Sequence, residues 1–201
     1  MKKNQNKPQA LLSLLGLFTT TCLFCSENGA TGIQELPAFT HDGTYSFHSK
    51  FNGEVQVVQK NGLRWLIFKK GDHLSTQSKI DLQDPALLLF EYTRCSLLGF
   101  ALFKEPHAQV QNVLMIGLGA GSLLRFIQKH FPSTYIDTVE LDPLIVSLSR
   151  KYFYVTPSGR VMIHVGDGRA FVDTTDRKYD LVIVDAFNAD NEVPRGLTSV
   201  E

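Results

Sequence analysis

Glycines at one turn of this chain are placed where they could bind a nucleotide. Residues 117–121 read Gly117-Leu118-Gly119-Ala120-Gly121, between a short apolar run and a segment with helical periodicity. Glycines at such a turn let a ligand approach the backbone and the helix N-terminus. The GxGxG spacing favours an adenosyl ligand over a dinucleotide. We therefore assign Gly117, Gly119 and Gly121 to a nucleotide site, the alternative being a turn that only packs.

Acidic residues follow the next two predicted strands. Glu140 comes about 20 residues after the glycine turn, where an acid commonly holds ribose hydroxyls. A carboxylate there accepts charge-assisted hydrogen bonds, which are stronger than neutral ones. Asp142 precedes Pro143 and suits a helix N-cap. Asp167, followed by Gly168, could accept from an adenine amine or cap the next helix, and local chemistry leaves both interpretations open.

Asp185 follows four consecutive apolar residues, 181–184, which are typical of a strand in the middle of a parallel sheet. Ligands of open α/β sheets lie outside the carboxyl ends of the strands. This position puts the Asp185 carboxylate at the mouth of the predicted site. The alternative is a polar loop residue with no role in binding.

The elements that must position these residues alternate regularly. Strands are predicted at 113–116, 135–139, 161–165 and 181–184, with helices at 122–130, 143–152 and 169–173 between them. Strands separated by helices indicate βαβ units and a parallel sheet covered on both faces. The predicted class is α/β, with a Rossmann-like nucleotide-binding domain over residues 85–201.

A smaller β-rich subdomain is predicted before it, over residues 45–84. Asn61-Gly62 lies between two β-rich runs, which is a strong hairpin signal. Residues 69–84 are polar and rich in turn formers. Pro85 is predicted to open a helix that continues through Leu98.

Composition and the N-terminal residues limit the other functions that the protein could have. Twenty basic and twenty acidic residues cancel, which gives no electrostatic argument for nucleic acid. Three cysteines suggest neither a disulfide framework nor a metal site. Lys2, Lys3 and Lys7 precede an apolar run at 10–25, so residues 1–30 are predicted to be a signal peptide or membrane anchor, with a cytoplasmic helix as the alternative.

Taken in order, these motifs resemble the spermidine synthases, including their looser bacterial branch. The resemblance covers about residues 45–201 and rests on GLGAGSLLRFI, VELDPLIV, HVGDGRAF, YDLVIVDAFNAD and VPRGLTSVE. It implies a methyltransferase-like Rossmann fold and transfer of an aminopropyl group from decarboxylated S-adenosylmethionine to putrescine, with no prosthetic group. Glu140 would bind ribose, Asp167 adenine and Gln77 the nucleotide, and Asp185 would orient and deprotonate the amine.

The chain departs from that family at three positions. Ala120 and Asn188 replace acids that recognise cationic amines, and Tyr92-Thr93 replaces a Tyr-His pair. A methyltransferase using S-adenosylmethionine, or an inactive truncated relic, are therefore the alternatives. The resembled fold has further strands after 181–184. We thus expect an incomplete C-terminus and an open strand edge that could pair in a homodimer.

Overall fold

The structure is a computed structural model that describes residues 36–187 and 192–197. The predicted signal or anchor segment, residues 1–30, lies outside the described residues, as does Asn188. In the described part, no helix combines the length and the apolar character that a membrane span requires.

The N-terminal part is a four-stranded antiparallel sheet in the order β1-β2-β3-β4. Its strands are β1 Gly43–Ser49, β2 Gly53–Lys60, β3 Leu63–Lys70 and β4 His73–Asp81. The predicted hairpin is confirmed: Asn61 and Gly62 both have positive φ, 50° and 75°, as a two-residue turn between twisted strands requires.

Strand β4 corrects the sequence interpretation of residues 69–84 as turn. The segment is polar because β4 is an edge strand and packs only one face. Ser78 and Ile80 are buried, whereas Leu74 is 56% exposed. Backbone pairing with β3 therefore decides the conformation here, although the side chains give a weak signal.

A helix was predicted to begin at Pro85, and this prediction is wrong because the segment before Glu91 is not helical. Helix α1 spans Glu91–Cys95 and continues into a 3-10 helix at Ser96–Leu102. Before it, the carbonyls of Pro85 and Leu88 accept hydrogen bonds from Arg125 and Arg94. These bonds tie the irregular segment before α1 to the side chains of Arg94 and Arg125. A short helix that the sequence did not predict, α2, follows at Pro106–Gln109.

The second sheet is parallel, in the order β7-β6-β5-β8, and its predicted elements are confirmed. The strands are β5 Asn112–Ile116, β6 Tyr135–Glu140, β7 Val161–Val165 and β8 Leu181–Val184. The helices are α3 Ser122–His130, α4 Pro143–Tyr152 and α5 Gly168–Thr174.

Strand β8 pairs with β5, as the resemblance implies, and in the described residues its other edge is open, as expected. Its residues alternate in exposure. Ile183 is buried against the sheet core, whereas Val182 and Val184 are 50% and 48% exposed. The uniformly apolar sequence of β8 therefore does not mean that both faces of this strand are buried.

One apolar cluster joins the antiparallel sheet to the Rossmann-like domain. Val55, Val57, Leu66 and other buried residues of the antiparallel sheet contact Ala120 and the inner face of α4. This packing sets the N-terminal sheet beside the carboxyl ends of β5 and β6. The loops after all four parallel strands open at the same edge, where the candidate site lies.

Candidate active site

A cavity of about 570 Å³ lies at the carboxyl edge of the parallel sheet. The N-terminal sheet covers it through β4 and the turn between β1 and β2. Of the residues predicted to form the site, those lining the cavity are Gln77, Gly117, Gly119, Glu140, Asp167, Gly168 and Asp185. Gly121 does not line it and instead precedes α3 as its N-terminal flanking residue.

The glycine turn needs glycine at its first position for two reasons. Gly117 has φ +96°, and a Cβ there would lie 2.2 Å from the carbonyl oxygen of Asp185. The turn after β5 and the residue after β8 are therefore in direct backbone contact. Gly121 also has positive φ, and a Cβ there would lie 2.4 Å from a methyl group of Val155, so its role is close packing of α3.

Glu140 is held by the backbone around the glycine turn. Its Oε2 accepts from the Leu118 N–H at 2.9 Å, and its Oε1 accepts from the Asp142 N–H at 2.9 Å. Burial raises the pKa of Glu140 above its usual range, and the N–H donors oppose that rise. The carboxyl group is thus fixed in orientation at the cavity wall without any ligand.

Asp167 caps α5, because its Oδ1 accepts from the Ala170 N–H at 2.9 Å. The side chain is exposed and also lines the cavity. The cap is one of the two interpretations that the sequence left open, and a contact with adenine stays a prediction. Gly168 is required by packing, since a Cβ there would lie 2.5 Å from Ile116.

Gln77 reaches the cavity through an irregularity in β4. Leu66 of β3 pairs with Ser78 and Ile67 pairs with Thr76, so Gln77 is the extra residue of a β-bulge. Bulges of this kind re-aim side chains next to active sites. Gln77 donates to the Ser75 hydroxyl at 2.8 Å, which orients its amide.

Asp185 and Tyr92 are two further titratable residues that line the cavity. The Asp185 backbone N–H donates to the Ile116 carbonyl at 2.8 Å, which fixes the residue just after β8. Burial raises the pKa of the Asp185 carboxyl to about 6. Burial, and then the charge of Asp185, raise the pKa of Tyr92. The Tyr92 hydroxyl therefore stays protonated near neutral pH, and it donates to the Gln77 carbonyl at 3.4 Å.

Two of the family departures have a clear place in the structure. Ala120 is fully buried in the apolar cluster between the antiparallel sheet and α4, and it does not line the cavity. Thr93 lines the cavity, but its hydroxyl donates to the Phe90 carbonyl at 2.6 Å. Neither side chain offers a charge to a cationic ligand.

Several cavity residues were not predicted from the sequence. Phe51 and Asn52 come from the β1–β2 turn, and Phe187 and Leu197 come from the segment after β8. No local signal marks them, because a turn residue reaches the site only when two sheets pack together. Within residues 36–187 and 192–197, no cluster of His, Cys, Asp or Glu is arranged to hold a metal ion.

The fold and site define a Rossmann-like α/β protein of the spermidine synthase and methyltransferase class. The family model for the spermine/spermidine synthase domain matches residues 90–195. The chain therefore belongs to the spermine/spermidine synthase family.

The curated relatives include aminopropyltransferases and methyltransferases. A polyamine aminopropyltransferase of Vibrio vulnificus is 32% identical over 142 residues, which are 68% of this chain and 46% of the relative. An eEF1A lysine and N-terminal methyltransferase of Mus musculus is 30% identical over 114 residues, which are 53% of this chain and 16% of the relative. The chain spans about half the length of the aminopropyltransferase.

Solved structures show the same fold. A probable spermidine synthase from Corynebacterium glutamicum is 25% identical, with a TM-score of 0.65 over 77% of this chain and 56% of that one. A spermidine synthase in complex with the transition state analogue AdoDATO is 21% identical, with a TM-score of 0.51 over 83% of this chain and 60% of that one. The second likeness supports the fold alone.

Proposed function

We propose that the protein transfers an aminopropyl group from decarboxylated S-adenosylmethionine to an amine. The observation that carries this proposal is the shared cavity of Glu140, Asp167 and Asp185 at one edge of the sheet. The first two carboxylates suit a nucleoside and the third suits an amine. The family and its aminopropyltransferase relatives support the same reaction class.

The nucleotide would lie along the carboxyl ends of β5 to β7. Glu140 would accept from the ribose hydroxyls, because its two oxygens are already oriented by backbone donors. Asp167 would accept from the adenine amine while it caps α5, since a carboxylate has lone pairs for both bonds. Gln77 would reach the nucleotide from the opposite wall.

The transfer itself is a substitution at carbon. The amine nitrogen attacks the aminopropyl carbon next to the sulfonium, and a new C–N bond forms as the C–S bond breaks. The electron pair of the broken bond stays on sulfur and neutralises its charge, which leaves 5′-methylthioadenosine. The nitrogen loses one proton. Because sulfonium is a good leaving group, orientation of the amine is the larger part of catalysis.

Asp185 is the group that would hold and deprotonate the amine. Alkyl amines are protonated near neutral pH, with a pKa of about 10.4 as in lysine. A carboxylate binds the ammonium ion and takes one proton from it, which frees the nitrogen lone pair that then forms the C–N bond. The pKa of about 6 keeps Asp185 ionised at neutral pH, yet brings it closer to the operating pH than an exposed aspartate.

The test is release of 5′-methylthioadenosine from decarboxylated S-adenosylmethionine with putrescine as acceptor. Asp185→Asn keeps the shape and removes the charge, so turnover should fall by about 10²-fold or more while nucleotide binding is nearly unchanged. Asp173→Asn is the matched control, because Asp173 is exposed and pairs with Arg169 on the surface of α5. Full turnover by Asp185→Asn would exclude this mechanism.

Methyl transfer is the second candidate, and the position of Ala120 favours it. The family acid that Ala120 replaces would recognise a cationic amine, and the buried methyl group offers no charge. Methyltransferases also occur among the relatives. Calorimetric titration with decarboxylated and with ordinary S-adenosylmethionine distinguishes aminopropyl transfer from methyl transfer, because only ordinary S-adenosylmethionine carries a carboxylate. Tighter binding of the decarboxylated form supports aminopropyl transfer.

Residues 1–30 carry a separate proposal, that they direct the chain to or across a membrane. Its support is the basic and apolar pattern of the sequence alone. Cell fractionation tests it, and a full-length chain found wholly in the soluble cytoplasmic fraction would exclude it.

A further inference from the structure

Asp142 links the candidate nucleotide site to the N-terminal sheet. The residue is buried, with 2% of its surface exposed. Its Oδ1 accepts from the Leu144 N–H at 2.9 Å, which is the helix cap of α4. Its Oδ2 accepts from the Ser49 hydroxyl and from the Asn52 amide, the second at 2.8 Å. The Oδ2 atom of Asp142 therefore makes contacts that the capping of α4 does not require.

The turn that Asp142 holds, residues 49–52 between β1 and β2, is also ordered internally. The Ser49 hydroxyl oxygen accepts from the N–H groups of Phe51 and Asn52, each at 2.9 Å. Ser49 is 2% exposed, so water does not compete for these bonds. The same hydroxyl donates its proton to Asp142. One buried carboxylate therefore sets the position of a turn whose internal geometry is already fixed.

This arrangement places the turn against the ribose end of the cavity. Phe51 and Asn52 line the cavity together with Glu140 and Leu141. Phe51 and Leu141 are 45% and 43% exposed, which is high for large apolar side chains. The Asp142 N–H also donates to Glu140. Asp142 thus orients Glu140 through its backbone and the opposite wall through its side chain.

We propose that Asp142 is a positioning residue of the nucleotide site, whose carboxylate clamps the β1–β2 turn so that Phe51 packs against a bound adenosyl group. The inference rests on the proposed function, because it takes Glu140 to bind the ribose. Holding the turn in its bound position before the ligand arrives lowers the entropy that binding costs. A side chain locked by buried hydrogen bonds is the usual means of such preorganisation.

Asp142→Asn separates the clamp from the helix cap. Asparagine caps helices about as well as aspartate and keeps an oxygen for the Leu144 N–H. Its other atom becomes an NH₂ group, a donor that would face two donors. The dissociation constant for 5′-methylthioadenosine, measured by calorimetry well below the unfolding temperature, should rise about tenfold. A residue with only a structural role would lower the unfolding temperature and leave this constant unchanged.

Two further variants test the clamp independently of Asp142→Asn alone. Asp142→Asn combined with Asn52→Asp restores a carboxylate–amide pair with the roles exchanged, and it should recover affinity to within about threefold of the unaltered protein. Ser49→Ala removes the clamp from the other side, and Ser49 does not line the cavity. It should weaken binding several-fold. Asp81→Asn is the matched control, since Asp81 holds a turn at the far end of β4.

The outcomes separate the clamp from the function it serves. Weaker binding by Asp142→Asn and Ser49→Ala, with recovery by the exchanged pair, supports the proposal. Binding by Asp142→Asn within twofold of the unaltered protein overturns the clamp and leaves the proposed function standing, as does an exchanged pair that binds no better than Asp142→Asn. An unaltered protein that does not bind 5′-methylthioadenosine overturns both.

Discussion

Glu140 is the residue on which nucleotide affinity should depend most. Its carboxylate is oriented by two backbone N–H groups before any ligand binds. Glu140→Ala removes two charge-assisted hydrogen bonds to the ribose and should cost about 2–4 kcal/mol, or some 30-fold or more in affinity. Calorimetric titration with 5′-methylthioadenosine measures this, with Glu91→Ala on the exposed start of α1 as the control. A loss under threefold would show that Glu140 is not the ribose ligand.

Asp185 should leave a signature in the pH dependence of the reaction. Its carboxyl has a raised pKa of about 6, so it accepts a proton only above that pH. As pH falls through about 6, the charged form disappears and kcat/KM should decline about tenfold per pH unit, since the amine is already fully protonated in this range. Asp185→Asn should lack this break. A break near pH 4, or one that persists in Asp185→Asn, would contradict the assignment.

The same raised pKa has a consequence for stability. A carboxyl whose pKa is higher in the folded protein than in the unfolded chain favours folding most when the pH is below the pKa of the unfolded chain. That contribution is lost as pH rises through about 6. Near neutral pH the ionised Asp185 therefore works against folding. This is the pattern of a group kept for chemistry rather than for stability.

At the scale of elements, the backbone contact between the glycine turn and the end of β8 is the strictest requirement. Gly117→Ala would place a Cβ 2.2 Å from the Asp185 carbonyl oxygen at a φ of +96°, and we expect it to cost more than about 3 kcal/mol. Gly62→Ala is the matched control. It has φ +75° and open space, so only backbone strain of about 1–2 kcal/mol applies.

Urea unfolding followed by circular dichroism measures both glycine variants. The difference between them isolates the steric contact from the cost of left-handed backbone. Equal losses would mean that the turn after β5 moves away from β8 without penalty, and that the two strand ends are not fixed to each other.

At the scale of the whole molecule, it stays a prediction that the chain is either poorly stable or forms a homodimer through β8. In the described residues β8 pairs only with β5, and Val182 and Val184 are half-exposed. An uncovered apolar edge tends to pair with another copy. Light scattering of the 201-residue chain should give twice the monomer mass, or else its thermal unfolding should lack a sharp transition. Val184→Lys should restore the monomer, because a charged edge resists pairing. A monomeric unaltered chain with a sharp thermal transition would contradict the prediction.

The elements of the parallel sheet and the acids at their ends follow from local patterns in the sequence. Strand and helix patterns, and a residue's place directly after a strand, are local properties, so the sequence alone assigns Glu140 and Asp185 to one edge of the sheet. The helix-capping role of Asp142 is equally readable from the proline that follows it. The polar edge strand β4 and the non-helical start at Pro85 could not be predicted in this way. Strand β4 pairs with β3, and the Pro85 carbonyl accepts from Arg125, which lies 40 residues along the chain.

The face of the site that the N-terminal sheet covers depends instead on tertiary packing. Phe51, Asn52 and the second contact of Asp142 depend on pairs of residues 90 and 93 positions apart. Such contacts leave no periodicity in the sequence, since each partner satisfies an ordinary turn or cap locally. They form because apolar residues of β2 and β3 pack on α4, which brings the β1–β2 turn to the buried carboxylate of Asp142.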